Sequence, residues 1–282
     1  GKVVLRYAAL CVNGEEGNRY LGIPTTPANL TVYWKSMTLG VQYLILNLTL
    51  SYNHWKYGNI APRGNMTSTW GAEKWFNCYA NYTYIQIVDK TDLTYPQPLF
   101  EDTEVTLTFP GAEEMVLSVN NTGFIDLSYV NYTLPLRNAM EALDTYHITV
   151  KYMGVTVYDD DFDPNTFSRY SVGGTLYSFA FKRFFCDVYL VEFQIHDAHG
   201  RGLANISHVK LFHPTGVTLI IPVPAGGSGT WRIPGGSGYS LQIRYKSADW
   251  LDPLNTTTFD VTSNRLGSDA VVYKAPVYDV FI

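Results

Sequence analysis

The chain has 282 residues, of which 46% are apolar and 16% charged, and a formal net charge of −5. That balance excludes a disordered or highly charged helical protein, and the lack of a Lys/Arg-rich face excludes broad nucleic-acid binding. The length is enough for two or three ordinary domains. With 22 Tyr, 23 Gly and 14 Pro, the composition predicts an all-β chain of short strands and frequent turns.

In chain order, the sequence starts at Gly1 without a Met or an apolar leader, which fits a removed signal peptide or a processed end. "VVLRYAAL" is the first predicted strand. In "NLTVYW", Leu30, Val32 and Trp34 share one face and Asn29 and Thr31 the other. In Val41–Leu50, the residues Leu44, Leu46, Leu48 and Leu50 share a face, with Asn47 and Thr49 opposite. This stretch is the longest apolar run and is too short to span a membrane. Residues 1–77 read as a divergent first β-sandwich unit.

From Cys78 the chain repeats itself. "CYANYTYIQIVD" (78–89) matches "CDVYLVEFQIHD" (186–197). "EVTLTFP" (104–110) matches "HVKLFHP" (208–214), and "YHITVKY" (146–152) matches "YSLQIRY" (239–245), each followed by an Asp-Pro. Four anchors in one order predict two homologous units, 78–185 and 186–282. One helical turn is expected around "LRNAMEALD" (136–144). The stretch "IHDAHGRGLANISHVKL" from Ile195 resembles small immunoglobulin-like, carboxypeptidase-regulatory-like domains, which occur in tandem in archaeal and bacterial cell-surface glycoproteins. The resemblance implies two to three tandem immunoglobulin-like β-sandwiches and no particular chemistry.

Asn-X-Ser/Thr occurs at Asn29, Asn47, Asn65, Asn81, Asn120, Asn131, Asn205 and Asn255. Chance predicts roughly 2.5 such sites in this composition. The excess points to an extracellular or cell-surface protein bearing N-linked glycans. Of Cys11, Cys78 and Cys186, two are expected to pair outside the cytosol, the partners being open.

Candidate chemistry is sparse. His196, His199, His208 and His213 crowd one segment, but the matching segment of the other unit lacks them, which favours strand and turn over a metal centre. In "DDDFDPN", Asp159, Asp161 and Asp163 alternate and would face one way on an extended chain, as calcium ligands would; no other cofactor is expected. Ser228 and Ser237 sit in glycine-rich turns that fail the nucleophile-elbow pattern, so no enzyme is expected. "YDVFI", Tyr278, Asp279, Val280, Phe281 and Ile282, echoes "CDVYL" at 186–190. Such a strand would suit donation to a neighbouring copy and head-to-tail growth of a filament or surface layer. The alternative is an adhesin or carbohydrate-binding protein that stacks Trp55, Trp70 and Trp75 on sugars.

Overall fold

The computed structural model describes residues 2–6, 28–50, 59–60, 64–65, 73–138, 141–142, 145–172, 177–204, 206–223, 227–246, 250–254 and 258–278. Among them the chain is all-β, and its only helical elements are single 3-10 turns. No helix of the described residues is long and apolar enough to cross a membrane.

The first strands are β1 (Lys2–Arg6), β2 (Ala28–Ser36), β3 (Val41–Leu50), β4 (Asn59–Ile60), β5 (Gly64–Asn65) and β6 (Glu73–Asn77). β1 pairs with β6, β4 with β5, and β2 with β3 as a hairpin. The register of that hairpin slips between Val32 and Tyr33, leaving Ile45 as an extra residue on β3. The bulge corrects the face expected from alternation. Before it β3 buries Tyr43 and after it Leu46, with Ile45 also buried, while Leu44 is only half-buried. Trp34 stacks on Phe109 at 5.7 Å and Tyr43 donates its hydroxyl to the Pro110 carbonyl, so the hairpin shares the core of the following sandwich.

That sandwich comprises β7 (Ala80–Asp89), β8 (Thr103–Thr108), β9 (Glu114–Leu117), β10 (Thr133–Pro135), β11 (Arg137–Asn138), β12 (Glu141–Ala142), β13 (Tyr146–Tyr152), β14 (Val155–Phe162), β15 (Ser168–Val172) and β16 (Tyr177–Cys186). One sheet runs β10-β7-β16-β15 and the other β14-β13-β8-β9. β7 and β16, the first and last strands, are parallel neighbours. The helical turn expected over 136–144 is not present among the described residues, where Arg137–Asn138 and Glu141–Ala142 pair as antiparallel strands. Leu136 just before them is tied through its N–H to the Tyr79 carbonyl, which starts the segment extended.

The second sandwich repeats the plan with β17 (Val188–His196), β18 (Ile206–Phe212), β19 (Thr218–Pro222), β20 (Ser228–Pro234), β21 (Gly236–Tyr245), β22 (Trp250–Leu251), β23 (Phe259–Val261) and β24 (Val271–Lys274). Its sheets run β20-β17-β24 and β19-β18-β21-β22, with β24 parallel to β17. The repeated residues do the same work in both copies. Val105 and Leu107 in one, Val209 and Leu211 in the other, are buried core residues on β8 and β18. Tyr146 and Tyr239 are fully buried and donate their hydroxyls to the Pro135 and Pro234 carbonyls at 2.8 and 2.7 Å.

One residue, Asp187, separates β16 from β17, and polar contacts lock the joint around it. Asp187 N–H bonds the Val157 carbonyl, Gly235 N–H bonds the Asp187 carbonyl, and Lys90 N–H bonds the Val188 carbonyl. The Lys90 ammonium pairs with the Asp187 carboxylate. Arg232 of the second sandwich reaches Asp89 of the first at 3.0 Å, and that carboxylate is fully buried. Asn264 bridges as well, accepting from Leu190 N–H and donating to the Thr91 carbonyl. Val155, at the β13–β14 turn, packs into the second core.

Candidate functional site

The outer face of the β10-β7-β16-β15 sheet is unusually aromatic. Alternation on β7 sends Thr83, Ile85 and Ile87 into the core and leaves Tyr82 and Tyr84 facing out. On β16, Ala180 and Phe184 point inward while Phe179 and Phe181 point out, and parallel pairing sets Phe179 beside Tyr82 and Phe181 beside Tyr84. Tyr170 from β15 stacks on Phe179 at 5.5 Å with 21° between the rings. Tyr84 is the hub, with ring centroids 5.5 Å from Phe179, 5.8 Å from Tyr132 and 6.0 Å from Phe124.

A loop over residues 118–132 forms the opposite wall. Gly123 pins it down: its φ is +80°, and a Cβ there would lie 2.6 Å from the Ile87 carbonyl oxygen. Ile87 N–H bonds the Gly123 carbonyl and Ile125 N–H bonds the Ile85 carbonyl, which holds the loop against β7. Gln86 donates to the Thr122 carbonyl and accepts from Arg183 Nε, both at 2.8 Å. The result is an open cleft of about 870 Å³, within the size range of small-ligand sites.

The polar groups of the cleft are few and fixed. Asp126 accepts from Ser128 N–H and from the Tyr132 hydroxyl, and these bonds, led by those from Ser128, hold its carboxyl below the usual range. Burial, followed by the Asp126 charge, pushes the Tyr132 phenol up, and the hydrogen bond to Tyr82 does the same for Tyr84. The Arg183 guanidinium lies 5.3 Å over the Phe181 ring. Ser118, Ser128 and Asn120 complete the lining. Aromatic faces ringed by one anion, one cation and neutral hydrogen-bonding groups suit a ligand with both apolar faces and hydroxyls.

The expected calcium ligands do not converge. Asp159 and Asp161 lie along β14 and bracket His147, at 2.9 Å from Nε2 and 2.8 Å from Nδ1. Asp163 instead caps a 3-10 turn by accepting from Asn165 N–H. These contacts, led by the hydrogen bond that the ring donates to Asp161, raise the imidazole pKa; the bonds donated by the Thr149 hydroxyl, then by His147, lower that of Asp159. Among the described residues no group of three or more His, Cys, Asp and Glu side chains is placed to hold a metal.

The histidines have separate tasks. His213 occupies the place of Phe109. Each is a buried ring set edge-on to the corner tyrosine at 5.0 Å, His213 against Tyr239 and Phe109 against Tyr146. His213 Nε2 lies 3.0 Å from the Gly235 carbonyl, and Nδ1 accepts from Thr215 N–H. Asp197 accepts from the N–H groups of His199 and Arg201 and pairs with the Arg201 side chain, and Asp89 organises the equivalent turn through Thr91 and Gln97.

The asparagines of the Asn-X-Ser/Thr motifs differ sharply in setting. Asn29 and Asn47 are exposed on the hairpin in reciprocal register, Asn29 opposite Thr49 and Asn47 opposite Thr31. Asn120 and Asn131 are exposed in turns. Asn81, on β7, buries Nδ2 without a hydrogen-bond partner, and Thr83 of the same motif is fully buried. Asn65 lies in β5; Asn205 and Asn255 lie outside the described residues. Cys78 and Cys186 are not joined to each other, and Cys11 lies outside the described residues. Burial raises both thiol pKa values.

At the end of the chain, Ala275 N–H bonds the His196 carbonyl and Ala198 N–H bonds the Val277 carbonyl. The register places Ala275 where Cys186 stands in the first sandwich, three residues before the sequence echo would. Tyr278 is exposed and meets the His199 ring edge-on at 6.2 Å; Asp279, Val280, Phe281 and Ile282 lie outside the described residues. Of the tryptophans expected to stack on sugars, Trp75 lies in β6, and Trp55 and Trp70 lie outside the described residues.

The sequence reading missed the aromatic cleft, although the outward parity of Tyr82, Tyr84, Phe179 and Phe181 was its available signal.

No protein-family profile and no curated protein matches this chain. Solved structures similar to it include the Bacillus anthracis TIE protein, at 10% identity over 89% of this chain and 40% of that one, with a TM-score of 0.25. This chain thus spans well under half of that protein. The shaft pilin SpaA of Lactobacillus rhamnosus GG aligns at 10% identity over 72% of this chain and 100% of its own, with a TM-score of 0.33. The minor pilin GBS52 of Streptococcus agalactiae aligns at 8% identity over 71% and 98%, with a TM-score of 0.28. Likenesses at these scores assign neither a family nor an activity.

Proposed function

We propose that this chain is an extracellular, N-glycosylated structural subunit that associates with copies of itself into a filament or surface layer. The observation that carries the proposal is the joint between the sandwiches. A one-residue connection, the buried Asp89 carboxylate paired with a partly exposed Arg232, and the Asn264 bridge support reading the two sandwiches as a stiff, load-transmitting pair. Units bounded near residues 78 and 186 are part of the same proposal. So is end-to-end contact between copies in which the segment from Tyr278 adds a strand to a neighbour. The sequon excess points the same way. Deleting residues 278–282, which spares the Val277 carbonyl that accepts from Ala198 N–H, tests the contact: assembly should be lost while thermal unfolding of the sandwiches persists, and unchanged polymers contradict strand donation.

The aromatic cleft favours a second reading, a surface adhesin or carbohydrate-binding protein. A glycan array probed with monomeric protein separates the two. Specific capture by a stable monomer supports the adhesin, and capture abolished by Tyr84→Ala assigns it to this cleft.

A further inference from the structure

We propose that the aromatic cleft is the seat of a sugar carried by the chain itself, the glycan on Asn120. The inference rests on the reading of the chain as a glycoprotein and adds a binding site to it.

Three observations converge on Asn120. It is exposed, it begins an Asn-Asn-Thr acceptor motif, and of the described acceptors it alone lines the cleft. Its side chain is also pre-set. Oδ1 accepts from Thr122 N–H at 3.0 Å, from the Thr122 hydroxyl at 2.7 Å and from Phe124 N–H at 3.0 Å. All three bonds fall on the oxygen, and Nδ2, the atom that would carry the glycan, takes part in none of them. Phe124, at the end of the same turn, is itself a wall of the cleft, 6.0 Å from Tyr84 and 6.1 Å from Phe181. A sugar linked at Nδ2 therefore begins its path at the rim of the aromatic floor.

The lining matches the chemistry of a pyranose. Such a ring offers an apolar C–H face to the Tyr84, Phe179 and Tyr170 rings and hydroxyls to Asp126, Arg183 and Ser128. A sugar–aromatic contact is weak for a free ligand. Tethering makes it intramolecular, with an effective concentration on the order of millimolar, so a contact whose free dissociation constant is about tenfold lower keeps the cleft filled. Occupancy also covers an aromatic surface that would otherwise invite association.

The test uses Thr122→Ala, which removes the acceptor hydroxyl but keeps the backbone bonds to Asn120 that shape the turn. The probe is oligosaccharide released from the native protein, titrated by calorimetry into native protein, into Thr122→Ala and into Thr122→Ala with Tyr170→Ala. Glycopeptide mapping is expected to show Asn120 occupied. The probe should then bind Thr122→Ala at least about tenfold tighter than native protein, whose cleft is already filled, and the double variant should lose that gain. Tyr170 is exposed on β15, so its removal leaves the core intact. Equal binding to native and Thr122→Ala protein, or binding to neither, overturns the inference. An unmodified Asn120 beside occupied sites elsewhere overturns it and leaves the glycoprotein reading standing; a chain with no occupied site overturns both.

Discussion

His147 is held between two carboxylates on the exposed face of the first sandwich, and its titration follows from that setting. Its raised pKa, above the ordinary 6.5, means that the imidazolium contributes stability fully below about pH 6.5, and that the contribution is lost as pH rises through the folded value. Asp159 is shifted the other way from 3.8, so its contribution is present above that pH and lost as pH falls through its lowered value. The cluster is thus most effective between these limits. NMR titration should place the His147 midpoint above 6.5, and Asp161→Asn should lower it more than Asp159→Asn does. An unshifted midpoint would show that the carboxylates do not engage the ring. A second residue-level expectation concerns Asn81, whose buried Nδ2 leaves no room for a glycan in the folded chain. Glycopeptide mapping should find Asn81 unmodified, in contrast to the exposed Asn29, Asn47, Asn120 and Asn131, which are open to modification.

At the scale of the element, Gly123 is the residue on which the cleft wall depends. Gly123→Ala forces a side chain into the Ile87 carbonyl at a positive φ, at a cost of about 1–3 kcal/mol. Chemical denaturation should show this as a lower midpoint with an unchanged slope, and wild-type stability would contradict the close approach. The strands themselves were legible because alternation and turn residues are local signals, and the repeat was legible because Val105, Leu107, Tyr146 and their counterparts are core residues in both copies. What escaped reading was non-local. The bulge at Ile45 depends on how β2 pairs with β3, so alternation alone assigned Leu44 to the wrong face. β7 is apolar on both sides, Tyr82 and Tyr84 on one and Ile85 and Ile87 on the other, and only the packing of the second sheet decides which side is covered. "LRNAMEALD" has good helix formers, yet its described residues Arg137–Asn138 and Glu141–Ala142 pair as short strands, so local pairing outweighs propensity there.

For the whole molecule, the joint at Asp187 decides whether two sandwiches behave as one rod. Arg232→Met leaves the Asp89 carboxylate buried without its cation, a loss on the order of 3–5 kcal/mol. It should also increase the angular spread between the sandwiches in small-angle scattering, and adding Asp89→Asn should recover part of the stability. Unchanged stability would mean that the pair carries no load. In the proposed assembly a stiff joint would matter because a subunit that bends freely at its middle transmits neither orientation nor force to the next copy. The most direct test of the central claim is negative-stain electron microscopy of the native protein. Filaments or sheets with a regular subunit repeat are predicted, and dispersed single molecules at every concentration tried would contradict the account.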